Sequence, residues 1–155
     1  MRKVLVVAMA AVFVGSLACA GSLSVTFFND NGNNAIAGSG GQPNGGTGAA
    51  TFIRLHNKTG IAKVCTIAYT GQDGTSSGPT GLTTFTLGAG QVLAFRPSAD
   101  DPAEGAAGQA VPNTDAGKTN GSALVTWSGL DSDIDGVVTT IVVQGNRYGY
   151  SLHAG

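Results

Sequence analysis

The chain has 155 residues, 25 of them glycine, with 42% hydrophobic and 11% charged side chains and a formal net charge of -1. That length suits one domain with a real core. The balance of 8 basic against 9 acidic residues excludes an electrostatic grip on nucleic acid, which needs a basic stripe to release counterions, and the low charge excludes a solvated, charge-rich disordered chain.

Residues 1–20 read as a secretory signal peptide. Arg2 and Lys3 make a basic start, Val4 to Leu17 is apolar, and Ala18-Cys19-Ala20 is the small-x-small pattern of a cleavage site. Cleavage is expected after Ala20, placing the mature chain outside the cytoplasm, extracellular or at the cell surface. The apolar run is shorter than a comfortable span of ~20 residues, and no later segment predicts a transmembrane helix. Ser16-Leu17-Ala18-Cys19 is similar to a bacterial lipobox, which would lipidate Cys19, but Ser16 stands where an aliphatic residue belongs. Cleavage removes Arg2, Lys3 and Cys19. Cys65 is then the one cysteine left, and no internal disulfide can form.

Ser22 to Phe28 alternates apolar and polar residues and predicts a strand. Asn29 to Ala50 is rich in Gly and Asn and too poor in apolar side chains to offset its ordering entropy, so it reads as a linker or long loop. Residues 21–50 thus form an N-terminal strand on a Gly/Asn-rich linker, ahead of a domain over residues 51–155. Thr51 to Asn57 predicts a strand with Ile53 and Leu55 on one face and Arg54 and His56 on the other. Ile61 to Thr70 predicts another, with Cys65, Ile67 and Tyr69 facing together. Gly71 to Gly81 reads as a polar loop. Leu82 to Leu87 and Gln91 to Arg96, joined by Gly88-Ala89-Gly90, read as a hairpin.

Pro97 to Ser122 is a second long irregular stretch. Ala123 to Trp127 is a strand, Asp131 to Gly136 a turn, and Val137 to Val143 a β-branched central strand. Gln144-Gly145-Asn146-Arg147 turns the chain into a last strand bearing Tyr148, Tyr150 and Leu152. No amphipathic helix stands out. The predicted fold is all-β: a single β-sandwich of immunoglobulin-like or jelly-roll type with seven or eight antiparallel strands.

Asp131, Asp133 and Asp135, followed by Gly136, resemble the start of an EF-hand calcium loop, where alternate oxygens converge on a hard cation. The bidentate Glu of such a loop is replaced by Val142 and the flanks are strands, so an EF-hand is excluded. A sandwich loop could still hold calcium, with Asp100, Asp101 or Glu104 as further ligands. The competing reading is a polar turn. Gly74-Thr75-Ser76-Ser77-Gly78 matches the nucleophile-elbow pattern without the helix that must follow it. His56, His153 and Cys65 are the remaining candidates for nucleophilic or metal chemistry, and Cys65 sits in an apolar pattern. No convincing catalytic set emerges. Trp127, Tyr148 and Tyr150 could stack on sugars, although their period-two placement favours the core. Asn57-Lys58-Thr59 and Asn120-Gly121-Ser122 are formal glycosylation sequons, read here as surface loops.

Export, low charge and the absence of catalytic motifs point to a non-catalytic structural subunit of an extracellular fibre, matrix or surface layer. Its partners would be copies of itself or other cell-surface proteins. Residues 22–50, a strand on a long linker, look like the N-terminal donor strand of bacterial surface-fibre subunits, which implies assembly by β-strand addition. The cysteine pair common in usher-type pilins is missing. In-chain pairing of residues 22–28 competes with donation, since it has the higher effective concentration. The alternative function is an extracellular or periplasmic binding module for carbohydrate or protein, assisted by calcium.

Overall fold

The computed structural model describes residues 20–31, 48–99, 111–142 and 147–152. They form nine strands: β1 (Ala20–Asn29), β2 (Ala49–Asn57), β3 (Lys63–Gly71), β4 (Ser76–Gly78), β5 (Thr84–Leu87), β6 (Val92–Phe95), β7 (Asn120–Ser128), β8 (Ile134–Val142) and β9 (Arg147–Leu152). A single 3-10 turn, Asp131–Asp133, leads into β8. No helix among the described residues is long and apolar enough to cross a membrane. The expected signal segment with Cys19, linker residues 32–47, the acidic residues Asp100, Asp101 and Glu104, the Gly145-Asn146 turn and His153 lie outside the described residues.

Two antiparallel sheets pack as a sandwich. The first runs β1-β7-β3, with β4 and β5 both on the far edge of β3; the second runs β6-β2-β8-β9. Period-two alternation builds the interface between them. Leu23, Val25, Phe28, Cys65, Ile67, Tyr69, Val125 and Trp127 enter from the first sheet, and Ile53, Leu55, Leu93, Ile134, Val138 and Leu152 from the second. As expected, Arg54 and His56 take the outer face of β2. That face also buries Phe52, which clusters with Ala50 and Ile141. β8 is central, between β2 and β9.

The predicted hairpin over residues 82–96 does not form. β5 pairs with β3 in one sheet and β6 with β2 in the other. The short Gly88–Gln91 link is a corner between sheets, which lets Leu87 and Leu93 both point into the core. Asn57 holds this corner. Its Nδ2 donates to the carbonyls of Ile61 (2.7 Å), Leu87 (3.2 Å) and Gly88 (2.8 Å), and its Oδ1 accepts from the Thr59 amide and hydroxyl. Asn57 is fully buried at the end of β2, so of the first sequon only Lys58 and Thr59 lie in a surface loop. Asn120, in the second, opens β7. The expected strand over 61–70 begins at Lys63, leaving Ile61 exposed, and the expected polar loop over 71–81 contains β4.

β1 carries a bulge. Between the paired positions Val25↔Ala123 and Phe28↔Gly121 it has two residues where β7 has one. Thr26 and Phe27 therefore both face out, and Phe28 returns to the core. Gly121 opposite has no room for a side chain, because a Cβ there would overlap the Thr70 carbonyl oxygen.

Candidate functional site

The N-terminal strand is the first candidate. Among the described residues β1 pairs with β7 alone, and its Leu23, Val25 and Phe28 are buried. Phe28 meets Tyr69 edge-on, with ring centroids 5.8 Å apart. Gly21 lies under the indole of Trp127, where a Cβ would collide with the ring. The other edge of β1 is plugged by side chains. The Ser22 amide donates to Asp131 Oδ1 (3.0 Å). The Tyr150 hydroxyl accepts from the Phe27 amide (3.2 Å) and donates to the Phe27 carbonyl (2.6 Å). Thr51 Oγ1 does the same for Asn29, at 3.1 and 2.7 Å. These bonds occupy the Ser22 amide and the amides and carbonyls of Phe27 and Asn29, groups that an incoming strand would use.

Asp30 clamps the end of β1. It is fully buried, as is Arg96 just beyond β6. Arg96 Nε and Nη2 donate to Asp30 Oδ1 at 2.9 and 2.5 Å. The Ser98 amide and hydroxyl donate to Oδ2 at 2.9 and 2.7 Å, and the Thr51 amide reaches Oδ1 at 3.3 Å. The charge is thus matched on every side, as a buried carboxylate requires. Nothing local in the sequence marks this cluster. Asp30, Thr51 and Arg96 meet only through the pairing of distant strands.

The three aspartates of the acidic turn are placed one after another but engage different partners. Asp131 accepts from Ser22 on β1. Asp133 Oδ2 lies 2.7 Å from Lys63 Nζ and accepts from the Leu130 amide; the Lys63 hydrogen bond holds its carboxyl below the usual range. Asp135 faces Lys58 Nζ at 3.4 Å and His56 Nδ1 at 3.6 Å. Among the described residues no three His, Cys, Asp or Glu side chains group as a metal site. Calcium would have to displace two lysines, so millimolar calcium is expected to leave the melting temperature unchanged. A calcium-dependent rise would show that the turn rearranges around the ion.

The other sequence candidates separate. Cys65 faces the core from the first sheet, whereas His56 is partly exposed on the outer face of the second. Burial pushes the Cys65 thiol up to about 11, and only the thiolate attacks. Native protein at pH 8 is therefore expected not to react with a thiol-disulfide reagent, and unfolded protein to react fully; rapid native labelling would contradict the buried placement. Ser76 lies on β4 and is followed by Gly78 and Pro79 rather than a helix. Trp127 is buried and donates from Nε1 to the Leu130 carbonyl at 3.0 Å. Tyr150 packs against the core while Tyr148 is half exposed. The three aromatics thus form no common platform.

No family model, no curated protein and no solved structure matches this chain.

Proposed function

We propose that this chain is a secreted, non-catalytic structural subunit of an extracellular fibre, matrix or surface layer, and that copies assemble when β1 of one copy takes the place beside β7 of the next. One observation supports this reading above others. Among the described residues β1 joins its sheet through β7 alone, yet it supplies three core side chains. A second copy's β1 would make identical contacts, so exchange costs little beyond effective concentration. The Gly/Asn-rich sequence of residues 32–47 supplies the reach. The side-chain bonds along the outer edge of β1 disfavour addition of a strand at that edge, and exchange at β7 is the route proposed. Within this proposal the sandwich is of jelly-roll rather than immunoglobulin type, because consecutive β2–β3 nests antiparallel against β7–β8, with β2 beside β8 and β3 beside β7.

The test is a double cysteine variant, Ser24→Cys with Leu124→Cys, at directly opposed positions of β1 and β7. Antiparallel neighbours lie within disulfide reach. Oxidised as a monomer, the protein is expected to stay monomeric by light scattering and negative-stain microscopy. Reduced, it should form ordered assemblies, and oxidising those should link copies covalently on a non-reducing gel. Assembly by the locked monomer, or no assembly by the reduced or unmodified protein at any concentration, would overturn the proposal.

A further inference from the structure

Among the described residues, the outer face of the first sheet carries no charged side chain. Its outward positions on β1, β3, β5 and β7 are Ser, Thr, Ala, Val, Leu, Phe and Asn. Strand register arranges them in rows. Thr84, Thr66, Thr126 and Ser22 make one row of hydroxyls across four strands, and Ala68, Leu124 and Ser24 make the next. Nothing in the chain covers this face: Val64 is 64% exposed, Leu124 46% and Phe27 40%. The outer face of the second sheet differs, since Arg54, His56 and Asp135 stand on it.

Side chains of this kind suit a contact. Thr and Val are stiff at χ1, so covering them loses little rotamer freedom. Each Ser or Thr hydroxyl can donate and accept at once. Exposed apolar side chains gathered on one face, rather than scattered singly, mark an interaction surface.

We propose that this face packs against the same face of a second copy of the chain, about a two-fold axis. Such an axis makes the patch meet itself, so every contact occurs twice with the roles reversed. A charged face would then set like charges against each other. Apolar groups and hydroxyls that both donate and accept meet their own kind without penalty. A copy also brings a sheet of the same twist, and sheets of like twist pack with their strands about 30° apart. β3 and β7 each run nine residues. That is about 30 Å of strand, and four strands spaced about 4.8 Å span about 19 Å. Two such faces bury roughly 1,100 Å² together, enough for a weak, reversible contact and short of the roughly 1,600 Å² of a standard interface. The contact goes beyond the structural role and does not depend on strand exchange, which rebuilds the same face. Acting together, the two would extend an assembly in two directions. The Ser24→Cys, Leu124→Cys disulfide lies in this face and removes Leu124, so that locked variant is expected to stay monomeric on this account also.

The experiment is sedimentation velocity of the purified protein from micromolar to millimolar concentration, alongside Thr66→Lys, Leu124→Lys and, on the second sheet, Val92→Lys. All three positions are exposed, so each variant should melt with the parent. The parent is expected to dimerise as concentration rises, and high salt should not weaken the dimer, because no ion pair holds it. Thr66→Lys and Leu124→Lys should each weaken it roughly tenfold or more, since the axis brings both copies' lysines into one contact. Val92→Lys should dimerise like the parent. Amide chemical shifts separate this contact from strand exchange, which remakes identical pairing. On dilution of the parent, Thr66, Ala68, Leu124 and Thr126 should shift, and Val92 and Ala94 should not. Three results would each overturn the proposal: a parent monomeric at every concentration, dimers undiminished in both Thr66→Lys and Leu124→Lys, or dilution shifts that spare this face.

Discussion

Arg96→Ala is expected to lower stability by about 3–5 kcal/mol, because it strands the Asp30 carboxylate in the interior without its cation. Asp30 and Arg96 are both fully buried, and the guanidinium makes two of the carboxylate's contacts. The Ser98 and Thr51 donors remain, but they cannot neutralise the charge. Replacing the pair together, Asp30→Leu with Arg96→Met, should cost far less, since removing both charges also removes their desolvation. Urea denaturation of the two variants measures the difference. Equal losses would show that the pair matters for its shape and not its charge. The same substitution loosens the end of β1, so under the proposed exchange Arg96→Ala should also assemble at lower protein concentration than the parent.

Asn57→Ala is expected to cost roughly 2–4 kcal/mol, from leaving carbonyls of Ile61, Leu87 and Gly88 without their shared donor. Asn57→Asp, nearly the same in shape, should be worse at neutral pH, because it points a carboxylate at those carbonyls. Burial among acceptors raises the pKa of that introduced acid in the folded state. Its folded form is then favoured when protonated, and the penalty shrinks as pH falls through the folded pKa. Stability of Asn57→Asp should therefore rise on acidification relative to Asn57→Ala. A pH series of thermal melts decides this, and parallel curves for the two variants would contradict the donor role.

Strands were legible wherever burial follows period two on one strand. Cys65, Ile67 and Tyr69 share a face because alternation alone dictates it. The corner at residues 88–91 was not legible as a corner. Three small residues between two apolar runs have the same local chemistry whether the second run returns to the same sheet or crosses to the other. In the folded chain the corner is held by Asn57, some thirty residues earlier, a contact that no local pattern announces. The Asp30 cluster and the hydroxyl row of Thr84, Thr66, Thr126 and Ser22 are hidden for the same reason. Each joins residues far apart in sequence, and no spacing rule links them. The acidic turn shows the reverse case. Its pattern is conspicuous in one dimension, yet Lys63, Lys58 and Ser22 draw the three carboxylates apart.

The place of β1 in the chain has a consequence in time. Its Ser22 finds Asp131 across 109 residues of sequence, and its Phe27 finds Tyr150 across 123. β1 emerges before β7 and β9 during synthesis and must wait for them before its native neighbours exist. Contacts so distant close slowly, because loop entropy is lost before they form. Under the proposed exchange, a crowded population of unfinished molecules would hold unpaired β1 strands beside newly formed vacancies, and the ratio of concentration to folding speed would then decide whether each strand settles at home or next door.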